Sequence, residues 1–354
     1  MVHLSPSMFI GASGKDLISF GSGQIDLPPP KNVFKAFKKF KEFRYGPIQG
    51  DLQLRTKIAM LLKKEYKHNA KPQDIIITNG ASEALYLSLR CVMKPGDKIL
   101  LTQPYYYSYP KLVEINDGES LYTSLKPNHS INLEDVKEKI KKVKAIIINS
   151  PSNPTGKVQT KKCLKALQEI TEDAKRYLIS DEAYSKLIYE GEHYSPKGEH
   201  VITINTCSKT YSLCGLRIGF AYCSINKIIN ELVQRKTHTS MNTDIVSQQI
   251  ALEALKASKK YNKQMVQILK ERRDLIYNGL IDLGFEIEKP EGAFYVFPKV
   301  KNPQKICFNL FKKKKIITYL GEWFGAKNHL RLSYCLDKKK IIEGLKRIEN
   351  YLKQ

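Results

Sequence analysis

Lys209 follows the apolar run Val201–Asn205, stands among the hydroxyl residues Thr206, Ser208 and Thr210, and precedes Arg217 by eight positions. An amine held beside a guanidinium and hydroxyl donors can form a Schiff base with an aldehyde next to a bound phosphate. The amine attacks only when neutral, and a nearby cation lowers its pKa. Asp181 ends a second apolar run, Tyr177–Ser180, where a carboxylate is costly unless paired. One suitable partner is a protonated ring nitrogen, which would make that ring a stronger electron sink. The competing partner is magnesium, because an apolar strand followed by Asp181-Glu182 also reads as a Walker-B acid. That reading needs a P-loop. Ser152-Asn153-Pro154-Thr155-Gly156-Lys157 lacks its first glycine and places Val158 where a Ser or Thr would hold the metal, and Gly11-Ala12-Ser13-Gly14-Lys15-Asp16 fails as well. Nucleotide hydrolysis therefore falls away. Asn79-Gly80-Ala81-Ser82 opens a helical segment, where backbone N–H groups bind phosphate or Asn79 and Ser82 serve as ordinary caps. The tyrosines of Gln103-Pro104-Tyr105-Tyr106-Tyr107-Ser108-Tyr109-Pro110 offer a face to stack on a flat ring or simply pack a turn.

These residues need elements that bring them together. The runs Ile75–Thr78, Lys98–Thr102, Ala145–Asn149, Tyr177–Ser180, Val201–Asn205 and Ile218–Cys223 read as strands. Segments of helical period, among them Ser82–Val92, Leu133–Lys142 and Lys161–Ala174, separate many of them. Alternation of this kind predicts an α/β domain on a mainly parallel sheet, and runs apolar throughout predict helices on both of its faces. Ligands in such sheets sit beyond the carboxyl ends of the strands. Four strand ends carry the polar residues here: Asn79–Ser82, Ser150–Pro154, Asp181–Tyr184 and Thr206–Lys209. They are expected to form one site. From Ile228 to about Gly279 the pattern is long helices. A hairpin-rich stretch, Gly284–Phe297, strands at Ile316–Tyr319 and Leu330–Tyr334, and a helix at about Lys338–Leu352 then predict a smaller α+β domain, completed by the N-terminal segment.

Composition excludes other classes. With 354 residues the chain exceeds one typical domain, and 42% hydrophobic residues supply a large core. No apolar run approaches the roughly 18–20 residues of a membrane span, and Met1–Ile10 lacks the pattern of a signal peptide. A cytoplasmic protein is expected. The seven cysteines are odd in number, widely spaced and without C-x-x-C, so no metal site is expected. Net charge is +24. Such a charge attracts anions, nucleic acid included, but it also describes a solvated lysine-rich surface. The clusters Lys312–Lys315 and Lys338–Lys340 carry no interleaved aromatics, which favours the surface reading and predicts no specific nucleic-acid partner.

Taken together, the residues from about Ile18 to Tyr334 resemble fold-type I pyridoxal-phosphate enzymes, specifically the class I/II aminotransferases, with aspartate/aromatic and histidinol-phosphate transaminases as models. The segment Thr206-Cys207-Ser208-Lys209-Thr210-Tyr211-Ser212-Leu213-Cys214-Gly215-Leu216-Arg217-Ile218-Gly219 matches the family's S-K-x-x-x-x-x-G-x-R-x-G signature. The resemblance implies a mainly parallel seven-stranded sheet in a large cofactor domain, residues 30–270, and a smaller domain of residues 1–29 and 271–354. It implies that Lys209 carries pyridoxal 5′-phosphate and shuttles the proton, and that Asp181 pairs the pyridine nitrogen. Asn153 and Tyr184 would bond the ring's phenolic oxygen. Ala81, Ser82, Thr206, Ser208 and Arg217 would hold the phosphate. Tyr106 would stack on the ring, with Tyr105 the competing choice. Tyr45, in Phe43-Arg44-Tyr45-Gly46-Pro47, would reach the phosphate of a neighbouring subunit, implying a homodimer with shared sites. Leu330-Arg331-Leu332-Ser333-Tyr334 resembles the R-x-S-[YF] segment, so Arg331 would clamp a substrate carboxylate; Gly23, in Ser22-Gly23-Gln24-Ile25-Asp26, would line that site. Gly292-Ala293-Phe294-Tyr295 fits a further motif. The stretch Leu320-Gly321-Glu322-Trp323-Phe324-Gly325 departs from the family's Pro-Gly, and only Arg235 offers itself as a second arginine for a distal carboxylate. The expected reaction moves an amino group between an L-amino acid and a 2-oxo acid. Histidinol-phosphate transamination, a lyase or decarboxylase outcome on the same fold, and a basic nucleic-acid-binding role are the rival expectations.

Overall fold

The computed structural model describes Gly14 and residues 16–354. The P-loop candidate at Gly11–Asp16 therefore lies largely outside the described residues. In chain order the elements begin β1 (Ile18–Ser19), α1 (Asn32–Lys39), α2 (Leu52–Tyr66), β2 (Ile75–Asn79), α3 (Ala81–Val92), β3 (Lys98–Gln103), α4 (Ser108–Ile115) and β4 (Glu119–Ser124). The chain continues through α5 (Leu133–Lys139), β5 (Ala145–Asn149), α6 (Lys161–Asp173), β6 (Tyr177–Asp181), β7 (Val201–Thr206), α7 (Cys207–Thr210) and β8 (Ile218–Tyr222). It closes with α8 (Asn226–Thr237), α9 (Ile245–Ala254), α10 (Lys259–Asp282), β9 (Tyr295–Val296), α11 (Pro303–Lys314), β10 (Ile316–Ile317), β11 (Tyr319–Leu320), β12 (Leu330–Ser333) and α12 (Lys338–Leu352).

Seven strands form one sheet in the order β2-β8-β7-β6-β5-β3-β4. The pairs β3–β4, β3–β5, β5–β6 and β6–β7 are parallel, and β8 alone runs against its neighbours β2 and β7. The expected mainly parallel α/β sheet is thus present. Alternate side chains of each strand point to opposite faces. Ile76, Ile99, Leu101, Ile147 and Ile179 pack under α3 and α8, whereas Ile75 and Ile77 meet α2 and α9, and Leu100, Ile146, Ile148 and Leu178 meet α5 and α6. Burial on both sides is why these strands read as continuous apolar runs. The edge strand β4 escaped that reading: its sequence ESLYTS is polar and only Thr123 is buried.

The rest of the chain builds a second apolar core, in which Phe20, Met265, Leu269, Ile276, Phe294, Ile316, Leu332 and Ile348 are buried. Here β1 pairs in parallel with β10, Ile18 opposite Ile316. The stretch expected to be rich in hairpins holds only the short β9, which pairs with β12, and β12 pairs in turn with β11. The expected strand Ile316–Tyr319 is split between β10 and β11, and α11 lies before it.

Candidate active site

The four polar strand ends converge on a cavity of about 690 Å3. Its lining includes Lys209, Ala81, Ser82, Tyr106, Asn153, Asp181, Tyr184, Thr206, Ser208, Arg217, Arg331 and Gly23. Tyr45, expected to act on a neighbouring subunit, is not among them: it stands 84% exposed on the segment after α1.

One end of the cavity suits an anion. Helix α3 starts at Ala81 behind Gly80, and no side chain caps it, so its first-turn N–H groups are open to a ligand. Gly80 sits at φ +79°, and a Cβ there would meet Arg217 Nη2 at 2.4 Å. Arg217 is held over this turn by an Nη1 bond to the Cys214 carbonyl, 2.9 Å, and itself adopts φ 54°. Positive φ is uncommon for a residue with a side chain, and such strain gathers at functional sites. A Cβ on Gly219 would lie 2.5 Å from the Gly80 carbonyl carbon, so β8 needs glycine to bring Arg217 this close. Thr206 caps α7 by accepting from the Ser208 N–H, and its hydroxyl also lies 2.9 Å from that of Ser208 and donates to the Ile218 carbonyl.

Asp181 marks the middle of the cavity. It is buried, accepts from the Tyr109 hydroxyl at 2.8 Å and from the Ala183 N–H at 3.1 Å, and has no ion-pair partner among the described residues. Burial pushes its carboxyl up to about 6 from the ordinary 3.8. The folded chain then binds this proton more tightly than the unfolded chain, so stability from this group falls as pH rises between about 4 and 6. Asp181→Asn removes that slope. Stripped of ligands, the variant should gain on wild type by roughly 2–3 kcal/mol at pH 7.5 compared with pH 4.5. Thermal melts at the two pH values check this, and parallel curves would contradict it.

Lys209 Nζ donates to the Gly23 carbonyl at 2.8 Å. Burial lowers its pKa, and the Arg331 and Arg217 charges lower it further. Arg331, 2% exposed, donates from Nη1 to Asn153 Oδ1 at 3.0 Å and from Nη2 to the Gly21 carbonyl at 2.5 Å, while its Nε has no partner. The rings of Tyr295, Tyr319 and Phe324 lie 4.4, 4.7 and 4.8 Å from its guanidinium carbon. Strand register explains this box. Tyr319 is the cross-strand partner of Arg331, and Tyr295 pairs with Ser333, two residues along on the same face. The departing Leu320–Gly325 loop supplies Phe324 to it. Lys209, Arg217 and Arg331 thus hold only neutral oxygens among the described residues. Arg235 lies elsewhere, near Glu231 on α8.

Sequence reasoning missed several contributors. Tyr109 is the principal donor to Asp181; its i, i+3 relation to Tyr106, whose ring it meets edge-on, was the available signal. Tyr106 lines the cavity, whereas Tyr105 turns away and stacks on Tyr122. Tyr295 hydrogen-bonds Tyr184, O to O 3.0 Å. Asn149, at the end of β5, ties the loop after β5 to β6, donating to the Asp181 carbonyl and accepting from the Asn153 N–H.

The set fits pyridoxal 5′-phosphate: an anion-binding turn, a buried carboxylate lacking a cation, a lysine with lowered pKa and an unpaired arginine. The family model for aminotransferase class I and II matches residues 15–348. The chain is 40% identical to a probable aspartate aminotransferase of Methanocaldococcus jannaschii, over 93% of this chain and 92% of that one. It is 35% identical to a probable aspartate/prephenate aminotransferase of Aquifex aeolicus, over 97% and 93%. Among solved structures, a double mutant of Thermus thermophilus aspartate aminotransferase superposes with TM-score 0.92 at 30% identity, covering 98% of this chain and 94% of the other. The aromatic aminotransferase of Pyrococcus horikoshii does so with TM-score 0.91 at 30% identity, covering 99% of each.

Proposed function

From the premise that the chain belongs to the class I and II aminotransferases, we propose that the cavity around Lys209 is where it moves an amino group from an L-amino acid to a 2-oxo acid. The chain is a transaminase that uses pyridoxal 5′-phosphate. When bound, the cofactor supplies a conjugated ring that accepts the electron pair of a broken Cα–H bond. Asp181 keeps a proton on the ring nitrogen, with Tyr109 holding the carboxylate in place. Ala81, Ser82, Thr206, Ser208 and Arg217 bind the phosphate. Tyr184 and Asn153 orient the phenolic oxygen, and Tyr106 covers the ring face. Lys209 would hold the cofactor covalently until the substrate amine displaces it, and the freed amine would then take the proton from the substrate Cα as general base and give it back to the substrate–cofactor pair as general acid. Arg331 clamps the substrate α-carboxylate in its aromatic box, and Gly23 lines the same place, where a Cβ would meet the Tyr295 hydroxyl at 2.6 Å.

The observation that carries this reading is Arg331, a buried guanidinium with no carboxylate partner among the described residues. Aspartate and aromatic amino acids are the donors to try first, because the relatives above bear those names. The same reading makes the protein a cytoplasmic homodimer in which Tyr45 reaches the partner's phosphate site, and assigns residues 30–270 to the cofactor domain and 1–29 with 271–354 to the smaller one. In support of the shared site, Phe37, Phe43 and Tyr45 are well exposed, and Tyr45 lines a surface cavity together with Phe40 and Pro47. Neither a lyase outcome nor a nucleic-acid-binding role is favoured by the relatives. A panel of amino donors and oxo acids, followed through the cofactor's absorption, tests the function. Stoichiometric exchange supports it; ammonia or carbon dioxide without a new amino acid would sink it.

A further inference from the structure

Behind Asp181 lies a second buried carboxylate with no assigned task. Glu182 is 1% exposed. It accepts from the Ser180 hydroxyl at 3.1 Å and the Ser195 hydroxyl at 2.6 Å, and its other oxygen lies 2.9 Å from His193 Nε2. Ser195 spends its one proton on Glu182, so at its 2.7 Å contact with His68 Nε2 it accepts. His68 therefore carries its hydrogen on Nε2, and burial lowers its pKa to about 4, which keeps it neutral. The ring of Tyr66 meets His193 edge-on, and Tyr222 meets His68 in the same way. The titratable and charged groups around Glu182 are thus His193, His68 and Tyr66, with Lys197 near His68 and Asp181 adjoining. No lysine or arginine pairs with Glu182 among the described residues, and His193 Nδ1 has no partner. Burying an acid costs stability, and here the hydrogen bonds from Ser180, Ser195 and His193 offset part of that cost.

Consecutive residues at a strand end point to opposite sides. Asp181 faces the cavity, and Glu182 faces the serine–histidine chain behind it. We propose that Glu182 is a positioning residue for transamination: its buried charge, fixed by Ser180, Ser195 and His193, sets how firmly Asp181 and the cofactor held against it keep their protons. The inference rests on the cofactor reading of the cavity. A negative charge behind the site favours protonated forms in front of it, and low surrounding polarity lets that field act over several ångströms.

The test is the pH midpoint of the visible absorption change of the lysine-linked cofactor, measured on the holoenzyme. Glu182→Gln keeps the shape and removes the charge; the midpoint should fall by roughly one pH unit. Ser195→Ala removes a hydrogen bond and keeps the charge, so its midpoint should not fall. An unmoved midpoint in Glu182→Gln, or an equal fall in Ser195→Ala, overturns the inference. If the glutamine variant does not fold, Glu182→Met, close in volume and uncharged, is read against the same outcomes. Failure of the unmodified protein to take up pyridoxal 5′-phosphate overturns the cofactor reading and this with it. An unmoved midpoint in protein that does take it up overturns only the role of Glu182.

Discussion

Lys209→Ala protein should lose transamination by at least ~10,000-fold, since it loses the general acid–base group together with the covalent link. Borohydride treatment with pyridoxal 5′-phosphate should leave a stable adduct on the wild-type chain, mapped by mass spectrometry to Lys209, and none at that site in the variant. Three features single out this lysine, among many, for the proposed reaction. Burial and two nearby arginines lower its pKa, so the neutral amine needed for attack is populated more readily. Its only hydrogen-bond partner among the described residues is the Gly23 carbonyl, which a small rotation releases. The uncapped N-terminus of α3 and Arg217 line the same cavity, which places an anion site beside the amine. Because the variant keeps those anion ligands, it should still bind the cofactor without a covalent link, and small primary amines should restore part of the rate. An adduct of undiminished yield on the variant would refute the assignment.

Arg331→Met should raise the KM for amino donors and lower kcat/KM by roughly 30- to 5,000-fold, the equivalent of about 2–5 kcal/mol for truncating one member of a buried, hydrogen-bonded charge pair. Cofactor binding and the Lys209 adduct should remain. Arg331→Lys should recover only part of the loss, because a point charge cannot reproduce the two-pronged grip on a carboxylate. The aromatic box sharpens this expectation. Tyr295, Tyr319 and Phe324 exclude water and stabilise the cation, but they offer it no counter-ion. A substrate carboxylate therefore meets a guanidinium that is already oriented by Asn153 and Gly21. Steady-state kinetics with several donors, alongside cofactor titration, separates this outcome from general damage. Unchanged KM values for every donor would contradict it.

The amino-acid sequence by itself determined the buried strands of the sheet, though not its edge strand β4, and the polar strand ends. Strands buried on both faces must be apolar along their length, and a polar residue just past such a run is conspicuous; Asp181 and Lys209 were legible for that reason. The S-K-x-x-x-x-x-G-x-R-x-G spacing could be read because Lys209, Gly215 and Arg217 lie within nine consecutive residues, between β7 and β8. What joins distant segments was decided only by tertiary structure. Arg331 bonds the carbonyl of Gly21, 310 positions earlier, and Lys209 bonds that of Gly23, 186 positions earlier. The box around Arg331 follows from β-strand register, and a strand as short as β9 or β11 has too few side chains to announce its partner. Tyr109 and Glu182 were hidden differently. A tyrosine within a cluster and an acid after Asp181 are unremarkable as residue types. They acquire meaning from burial, which removes water as a competing partner and leaves each polar group answerable to the few side chains that the fold brings within reach.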